Sequence, residues 1–252
     1  MLIQACLNGA RHAGEHPSVP VTAEQIARDA MAVRDAGAGC LHVHPRSADG
    51  TESLKGDDVQ SVVEAVHARC PGFPVGVTTA AWIEPDVSRR LSVLQSWTAL
   101  PAFASVNLSE EGALEVVDLL NALGVGVEAG VWTTDDAHLL VENGLDDACV
   151  RVLVEVDAVP DPDDAVSLAA AIDFILDDGL SQAPRLHHGA GVATWSVMAA
   201  AIENGHDVRV GLEDTLVLAD TSLALNNAVL VSSARSMAVA AGRLIESAGP
   251  QR

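Results

Sequence analysis

Tyrosine is absent from the 252-residue chain, and aromatic residues make up only 3% of it. Aliphatic side chains, mainly alanine, valine and leucine, therefore have to fill the core. Basic residues are also scarce, since 14 Lys and Arg stand against 35 Asp and Glu and give a formal net charge of −21. Nucleic acids and anionic membranes bind clustered Lys and Arg, so we expect neither of them as a partner.

Long apolar runs and paired cysteines are missing as well. No apolar stretch reaches the ~18 residues of a membrane span, and the N-terminus lacks the basic and apolar regions of a signal peptide. The four cysteines, at positions 6, 40, 70 and 149, form no CxxC motif. We interpret them as buried free thiols, which suit a reducing compartment, and we expect a cytoplasmic protein.

Short apolar runs alternate with longer helical patterns along the chain. The predicted strands are Leu2–Leu7, Gly39–His44, Pro74–Thr78, Ala104–Leu108, Gly126–Ala129, Cys149–Val156, Arg185–His188 and Val208–Leu212. The predicted helices are Ala23–Ala36, Asp57–Arg69, Pro85–Trp97, Gly112–Leu123, Thr134–Asn143, Asp163–Asp177, Trp195–Asn204 and about Leu223–Ser247. This alternation over ~250 residues predicts an α/β fold, a (β/α)8 TIM barrel in which residues 1–252 form a single domain. A doubly wound open sheet is the alternative, although it usually has fewer strands.

Polar residues collect at the carboxyl ends of the predicted strands, where TIM barrels carry their chemistry. In chain order they are Asn8, Arg11, His12 and Glu15; His42, His44 and Arg46; Thr78 and Thr79; Asn107 and Ser109; Glu128; Glu155 and Asp157; His187 and His188; and Glu213 and Asp214. The opposite ends carry no comparable group. This polarity predicts an active site at one end of the barrel.

Two of these strand ends together predict a metal site. His42 and His44 alternate along the second strand, so their side chains point to one face with Cα atoms about 6–7 Å apart. Glu213, at the end of the last strand, adds a carboxylate. Two imidazoles and one carboxylate bind a divalent metal and leave positions open for substrate; Zn²⁺ is favoured, and Fe²⁺ uses a similar set. The alternative is a pair of strand histidines that bond only to backbone groups.

Other strand-end residues are candidates for holding the substrate. Arg46 follows the metal-binding strand and its planar fork fits a carboxylate, with a salt bridge to a nearby loop as the alternative. His188 precedes Gly189-Ala190-Gly191 and a predicted helix, an arrangement that forms either an anion site or a plain turn. Glu128 either contacts substrate or packs inside the barrel. We assign substrate contacts to two further residues, Thr79 and Asn107.

The same segments carry a resemblance to a known family. They are Asn8-Gly9-Ala10, His16-Pro17-Ser18-Val19-Pro20, Thr22-Ala23-Glu24-Gln25-Ile26, His42-Val43-His44-Pro45-Arg46, Asp49-Gly50, Val208-Arg209-Val210-Gly211-Leu212-Glu213-Asp214 and Asn226-Asn227-Ala228. Together they resemble the β-keto acid cleavage enzyme family. The resemblance covers nearly the whole chain, and its histidine and last-strand segments are specific only in combination.

The resemblance implies a zinc-dependent TIM-barrel enzyme with His42, His44 and Glu213 as ligands. Carried over by position, Asp214 is the catalytic carboxylate and Arg209 is its partner. A further residue, Glu15, matches the acidic residue of the family's first loop and is expected to contact substrate.

The reaction that the resemblance implies is an acetyl transfer. A β-keto acid and the co-substrate acetyl-CoA give acetoacetate and a new acyl-CoA, so the expected partners are a small keto acid and a CoA thioester. A homo-oligomer is also implied. The alternatives are a metal-dependent aldolase or hydrolase on the same barrel without CoA, and a barrel that binds ligands without catalysis.

Overall fold

Eight parallel strands close into a barrel in chain order, which confirms the predicted (β/α)8 architecture. The computed structural model describes residues 1–157, 159–179 and 181–245. The strands are β1 Ile3–Cys6, β2 Cys40–Val43, β3 Val75–Thr78, β4 Phe103–Asn107, β5 Gly126–Val131, β6 Arg151–Val156, β7 Arg185–Gly189 and β8 Asp207–Val210. The helices are α1 Ala23–Ala36, α2 Gly56–Arg69, α3 Val87–Gln95, α4 Ala113–Leu123, α5 Thr134–Glu142, α6 Pro162–Asp178, α7 Thr194–Asn204 and α8 Asn227–Ala240. None of the helices in the described ranges is long and apolar enough to span a membrane.

Local signals set the helix boundaries. Helix α1 occupies its predicted range because Thr22 and Gln25 form a reciprocal capping box at its start. Helix α8 is shorter than predicted, because the Asn226 side chain accepts a hydrogen bond from the Val229 amide and starts the helix there. Residues 246 and 247 of the predicted last helix lie outside the described residues.

The last strand also ends earlier than predicted. Strand β8 stops at Val210, and the amides of Asp214 and Thr215 both donate to the Gly211 carbonyl oxygen at 3.0 Å. A Cβ atom on Gly211 would lie 1.7 Å from the Cys6 carbonyl oxygen, so no larger residue fits between the turn and β1. Strand alternation therefore does not extend to Glu213 and Asp214, and a turn places these residues.

Alternation along each strand sorts the side chains into two populations. Outward-facing aliphatic residues pack against the helices and form the main hydrophobic core; among them are Ile3, Ala5, Val75, Val77, Val152, Val154, Val208 and Val210. Many inward-facing residues are polar yet buried; among them are Gln4, His42, Glu128, Arg151, Glu155 and Arg209. The aliphatic outer layer supplies hydrophobic burial and leaves the interior for charged groups.

The lower part of the barrel interior is filled by one charged and aromatic layer. Glu128 lies 3.3 Å from Arg151 and accepts a hydrogen bond from Gln4 at 2.6 Å. The Arg151 guanidinium lies 5.1 Å from the centroid of the Phe103 ring, within the range of a cation–π contact. The Phe103 ring in turn covers Gly76, where a Cβ atom would lie 1.8 Å from the ring carbon Cε2.

We expect Gly76→Ala to lower the free energy of unfolding by about 1–3 kcal/mol, because the added methyl group has to displace a buried aromatic ring. Chemical denaturation measures the change. Gly14→Ala is the matched control, since a Cβ atom there meets nothing within 4 Å. Equal stability of the two variants would contradict the tight packing of Gly76 against Phe103.

Candidate functional site

Strand β2 and the turn after β8 bring the three predicted metal ligands together. The rings of His42 and His44 lie with centroids 5.2 Å apart at the mouth of the barrel. Oε1 of Glu213 lies 4.0 Å from Nε2 of His42 and 3.7 Å from Nε2 of His44. One ligand atom from each residue lies within 4.8 Å of the other two. These separations are too long for good hydrogen bonds, and they suit three ligands around one ion.

Glu52 fixes the orientation of His44. Its Oε1 lies 2.5 Å from Nδ1 of His44, and the indole nitrogen of Trp82 donates to its other oxygen at 3.3 Å. An antiparallel bridge between Arg46 and Glu52 brings this carboxylate back over the end of β2. A carboxylate on one ring nitrogen of a histidine leaves the other nitrogen available for a metal.

The other two predicted ligands, His42 and Glu213, each have a polar atom that lacks a hydrogen-bond partner in the protein. Nδ1 of His42 and Oε2 of Glu213 are buried without a hydrogen-bond partner. Burial, followed by the positive charge of Arg209, holds the pKa of His42 well below its ordinary value. Neutral imidazole and ionised carboxylate are the forms that bind divalent cations. The donor set therefore fits a divalent metal ion such as Zn²⁺ or Fe²⁺.

Arg209 holds the carboxylates that follow β8. Its Nη2 contacts Oε1 of Glu213 and lies 3.2 Å from Oδ1 of Asp214. The Cys6 thiol donates to the other Asp214 oxygen at 2.6 Å. Burial alone would raise the pKa of Asp214, but the charges of Arg209 and His188 outweigh it and lower that pKa below its usual value. Asp214 is therefore ionised at neutral pH.

His188 lies between two carboxylates. Its Nδ1 is 3.4 Å from Oδ1 of Asp214, and its Nε2 is 3.1 Å from Oε2 of Glu155. Burial and the charge of Arg209 lower the pKa of His188, but the two carboxylates outweigh them and raise it to about 9. The ring is therefore protonated at neutral pH, and it places a second cation beside Asp214.

A cavity of about 330 Å³ opens above these groups at the carboxyl ends of the strands. This volume suits a small organic acid. Residues in its lining include Arg11, Glu15, His44, His188, Arg209 and Asp214. Of the predicted substrate contacts, Glu15 and His188 therefore face the cavity.

Arg46 lies outside the lining of this cavity. Its Nη2 donates to the carbonyl oxygens of Gly9 and, at 3.0 Å, of Arg11, and its Nη1 lies 3.4 Å from that of Gly50. The side chain thus ties the loop after β1 to the loop after β2. In this structure the Arg46 guanidinium donates to three backbone carbonyls, whereas the prediction was a contact with a substrate carboxylate.

Three more predicted substrate contacts also lie outside the cavity lining. Thr79 donates from its hydroxyl to the Ser105 carbonyl oxygen at 2.7 Å. Asn107 donates to Glu110 at 2.9 Å. Glu128 lies in the lower barrel layer, where burial raises its pKa despite the charge of Arg151. For Glu128 the structure matches the alternative interpretation, packing inside the barrel.

Sequence reasoning gave no role in the site to four residues, Cys6, Arg11, Glu52 and Glu155. Cys6 shares the inward face of β1 with Gln4, so alternation could have placed it in the barrel. Arg11 and Glu155 stand among the strand-end polar residues, and Arg11 forms an ion pair with Glu15 at 2.9 Å. Glu52 gave no sequence signal, because the bridge that positions it forms only in the folded loop.

The barrel is similar to solved structures of ObcA. In its binary complex with oxaloacetate, ObcA matches with a TM-score of 0.75 and 18% sequence identity, over 92% of this chain and 66% of that chain. A ternary complex of ObcA with a C4-CoA adduct and oxalate matches with a TM-score of 0.73 and 19% identity, over 92% of this chain and 66% of that chain. This chain thus spans about two thirds of the length of ObcA, and at these identities the likeness shows the fold alone.

Sequence relatives cover the chain more fully. The 3-keto-5-aminohexanoate cleavage enzyme of Fusobacterium nucleatum is 26% identical over 270 residues, 97% of this chain and 93% of that protein. The 3-oxoadipate:acetyl-CoA acetyltransferase of Cupriavidus necator is 24% identical over 250 residues, 94% of this chain and 88% of that protein. The family model for the beta-keto acid cleavage enzyme matches residues 1–252. Because the family match extends over residues 1–252, this chain belongs to the β-keto acid cleavage enzyme family.

Proposed function

We propose that this β-keto acid cleavage enzyme exchanges acyl groups between a β-keto acid and acetyl-CoA, with Zn²⁺ held by His42, His44 and Glu213. The products are acetoacetate and the CoA thioester of the remaining acyl group. The observation that carries the proposal is Asp214, which Arg209 holds in the cavity that His44 and Glu213 also line. It lies beside the group of three potential metal ligands. Similarity to an acetyl-CoA acetyltransferase and to ObcA, which has been solved with a C4-CoA adduct, supports it.

Atom balance defines what the site has to do. C2 of the keto acid bonds to the acetyl carbonyl carbon of acetyl-CoA, and the acetyl–sulfur bond breaks to release the CoA thiolate. The thiolate then attacks C3, the bond between C2 and C3 breaks, and the acyl group leaves on the CoA sulfur. C2 regains a proton, which gives acetoacetate. C2 carries hydrogen and becomes a nucleophile only after losing a proton, so the first requirement is a base in the cavity.

Asp214 is the base in this scheme. Its Oδ1 faces the cations of Arg209 and His188, which keep it ionised before the reaction. When the proton moves from C2 to Asp214, the negative charge moves to the substrate, and the same two cations lie close enough to offset it. A bound divalent ion would supply Lewis-acid polarisation of the substrate oxygens.

Substrate capture has to be local, since a net charge of −21 repels an anionic keto acid. Arg11 lines the cavity, and its side chain is 24% exposed, so its guanidinium can meet an incoming carboxylate. Glu15, its ion-pair partner, keeps it oriented at the cavity wall. We therefore assign carboxylate binding to Arg11 and place Glu15 beside it.

We also propose that the protein is located in the cytoplasm and forms a homo-oligomer. All four cysteines are free thiols, as suits a reducing compartment. Large apolar side chains are exposed at Val192, Leu223 and Leu225, which fits burial against another copy of the chain.

Turnover of a panel of β-keto acids, with and without acetyl-CoA, tests the proposed function. We expect consumption of one or more members only with acetyl-CoA, together with acetoacetate and a new acyl-CoA detected by mass spectrometry. Keto-acid consumption that proceeds at the same rate without acetyl-CoA would favour an aldolase or hydrolase instead.

Metal content tests the ligand assignment. We expect the purified protein to carry about one active-site divalent ion per chain, and His44→Ala to lose it, because three protein ligands are needed to hold the ion. Elemental analysis of the dialysed protein measures the loss. Full occupancy of that site in the double variant His42→Ala/His44→Ala would refute the assignment.

Replacement of the base separates catalysis from metal binding. Asp214→Asn has nearly the same volume and keeps the metal ligands, so we expect a folded, metal-loaded protein whose kcat falls about 10²–10⁴-fold. Steady-state kinetics and elemental analysis on the same sample give both values. Near wild-type turnover would remove Asp214 from the mechanism.

We expect substitutions of Arg11 and Arg46, which both contact the loop after β1, to have different effects. Arg11→Lys keeps the charge but loses the bidentate geometry, so we expect a clear rise in KM for the keto acid, and a larger one in Arg11→Ala. Arg46→Lys is the comparison, because the Arg46 side chain lies outside the cavity lining and reaches it only through the carbonyl oxygen of Arg11. A rise in KM for Arg46→Lys alone would return the carboxylate contact to Arg46.

A further inference from the structure

A second group of metal-binding side chains lies outside the barrel interior. Asp173 projects from α6, His187 faces outward from β7, and His206 immediately precedes β8. His187 and His188 are adjacent on one strand, so His188 enters the barrel while His187 enters the space between β7 and α6. The group therefore stands apart from the residues of the active-site cavity.

These three side chains converge on each other. Nε2 of His187 lies 3.3 Å from one oxygen of Asp173, and Nε2 of His206 lies 3.4 Å from the other. One ligand atom from each residue lies within 4.8 Å of the other two. Two imidazoles and one carboxylate are the donor types that zinc sites use.

His187 is buried but unsatisfied. Its side chain is 2% exposed, and its Nε2 makes no hydrogen bond despite its short distance from Asp173. The ring nitrogen is thus close to the carboxylate without pointing at it. Ligands around a metal ion have this relation, because each points to a common centre instead of to its neighbour.

The two imidazole rings lie parallel to each other. The rings of His187 and His206 are stacked, with centroids 4.5 Å apart and planes 8° from parallel. Both rings place Nε2 near Asp173, so the two ring nitrogens and the carboxylate lie close enough to share one ion.

Arg185 is the main competitor for the carboxylate. Its Nη1 donates to Asp173 at 3.0 Å and its Nη2 donates to Asp177 at 2.6 Å. The bond to Asp173 uses Oδ1, while Oδ2 faces His206. A hydrogen bond to a ligating carboxylate is a normal outer-shell contact, and Asp177 offsets the charge that Arg185 brings.

An ion can reach this group from solvent. A cavity of about 770 Å³, larger than the active-site cavity, opens beside it and is lined by Asp173, His206 and the carboxylates Asp177 and Asp207. The side chains of Asp173 and His206 are 14% and 21% exposed. Arg185 is the cation in this wall, and the three carboxylates outnumber it, so the lining favours a cation. The opening leaves room for water as a fourth ligand.

We propose that Asp173, His187 and His206 form a second transition-metal site, selective for ions such as Zn²⁺, Co²⁺ or Ni²⁺. Bound there, the ion joins α6 to β7 and to the start of β8, so it stabilises the fold independently of the reaction.

Cobalt binding tests the second site. Chelated protein is titrated with Co²⁺ in four forms: wild type, His42→Ala/His44→Ala, His206→Gln and His138→Gln. His138 is an exposed histidine on α5 and serves as the control. We expect about two ions per chain in wild type and His138→Gln, and about one in each of the other two proteins, each with the visible absorption of low-coordinate Co²⁺.

Thermal melting of the His42→Ala/His44→Ala protein supplies a measurement in which the second site is intact. We expect Co²⁺ to raise its melting temperature, and the rise to disappear when His206→Gln is added. About one ion in wild type and none in His42→Ala/His44→Ala, with no change in melting temperature, would overturn the proposal. The same holds if His206→Gln binds as many ions as wild type, since the cluster is then an ion-pair network with Arg185.

Discussion

One buried guanidinium organises the candidate active site. Arg209 is 3% exposed and contacts both Glu213 and Asp214, the two carboxylates that follow β8. Buried charges of this kind persist only when they are paired, and removing one partner typically costs about 3–5 kcal/mol. The turn at Gly211 makes the pairing possible, because it folds the chain back over the strand that carries Arg209. The position of Glu213 depends on this guanidinium, and the ionised state of Asp214 depends on it together with His188.

The barrel tolerates so much buried charge because its two faces have separate tasks. The outward aliphatic residues bury against eight helices and supply the hydrophobic free energy. The inward residues form ion pairs at successive depths in the barrel. Glu128 pairs with Arg151 in the lower layer, and Asp214 pairs with Arg209 and His188 nearer the mouth. Each cation therefore meets a carboxylate, and the interior presents fixed charges to a substrate without rearrangement.

Periodicity was enough to predict the barrel, since eight strand–helix units leave few other architectures. It also placed His42 and His44 on one face, and the structure brings them together with Glu213; metal binding by the three stays a prediction. Arg46 and Thr79 lie outside the cavity lining and donate to backbone carbonyls that only the folded chain brings near, so the sequence could not show these contacts. Glu128 shows another limit of the sequence. Strand alternation predicts that its side chain points into the barrel, but not how far that side chain lies from the mouth.

The fate of an isotopic label tests the central claim, carbon–carbon bond formation between the keto acid and the acetyl group. With acetyl-CoA labelled by ¹³C at the acetyl carbonyl, the account predicts acetoacetate labelled at C3 and an unlabelled new acyl-CoA. Carbon-13 NMR of the reaction mixture reads both positions directly. Acetoacetate without label, or label released as acetate while the keto acid is consumed, would contradict the account.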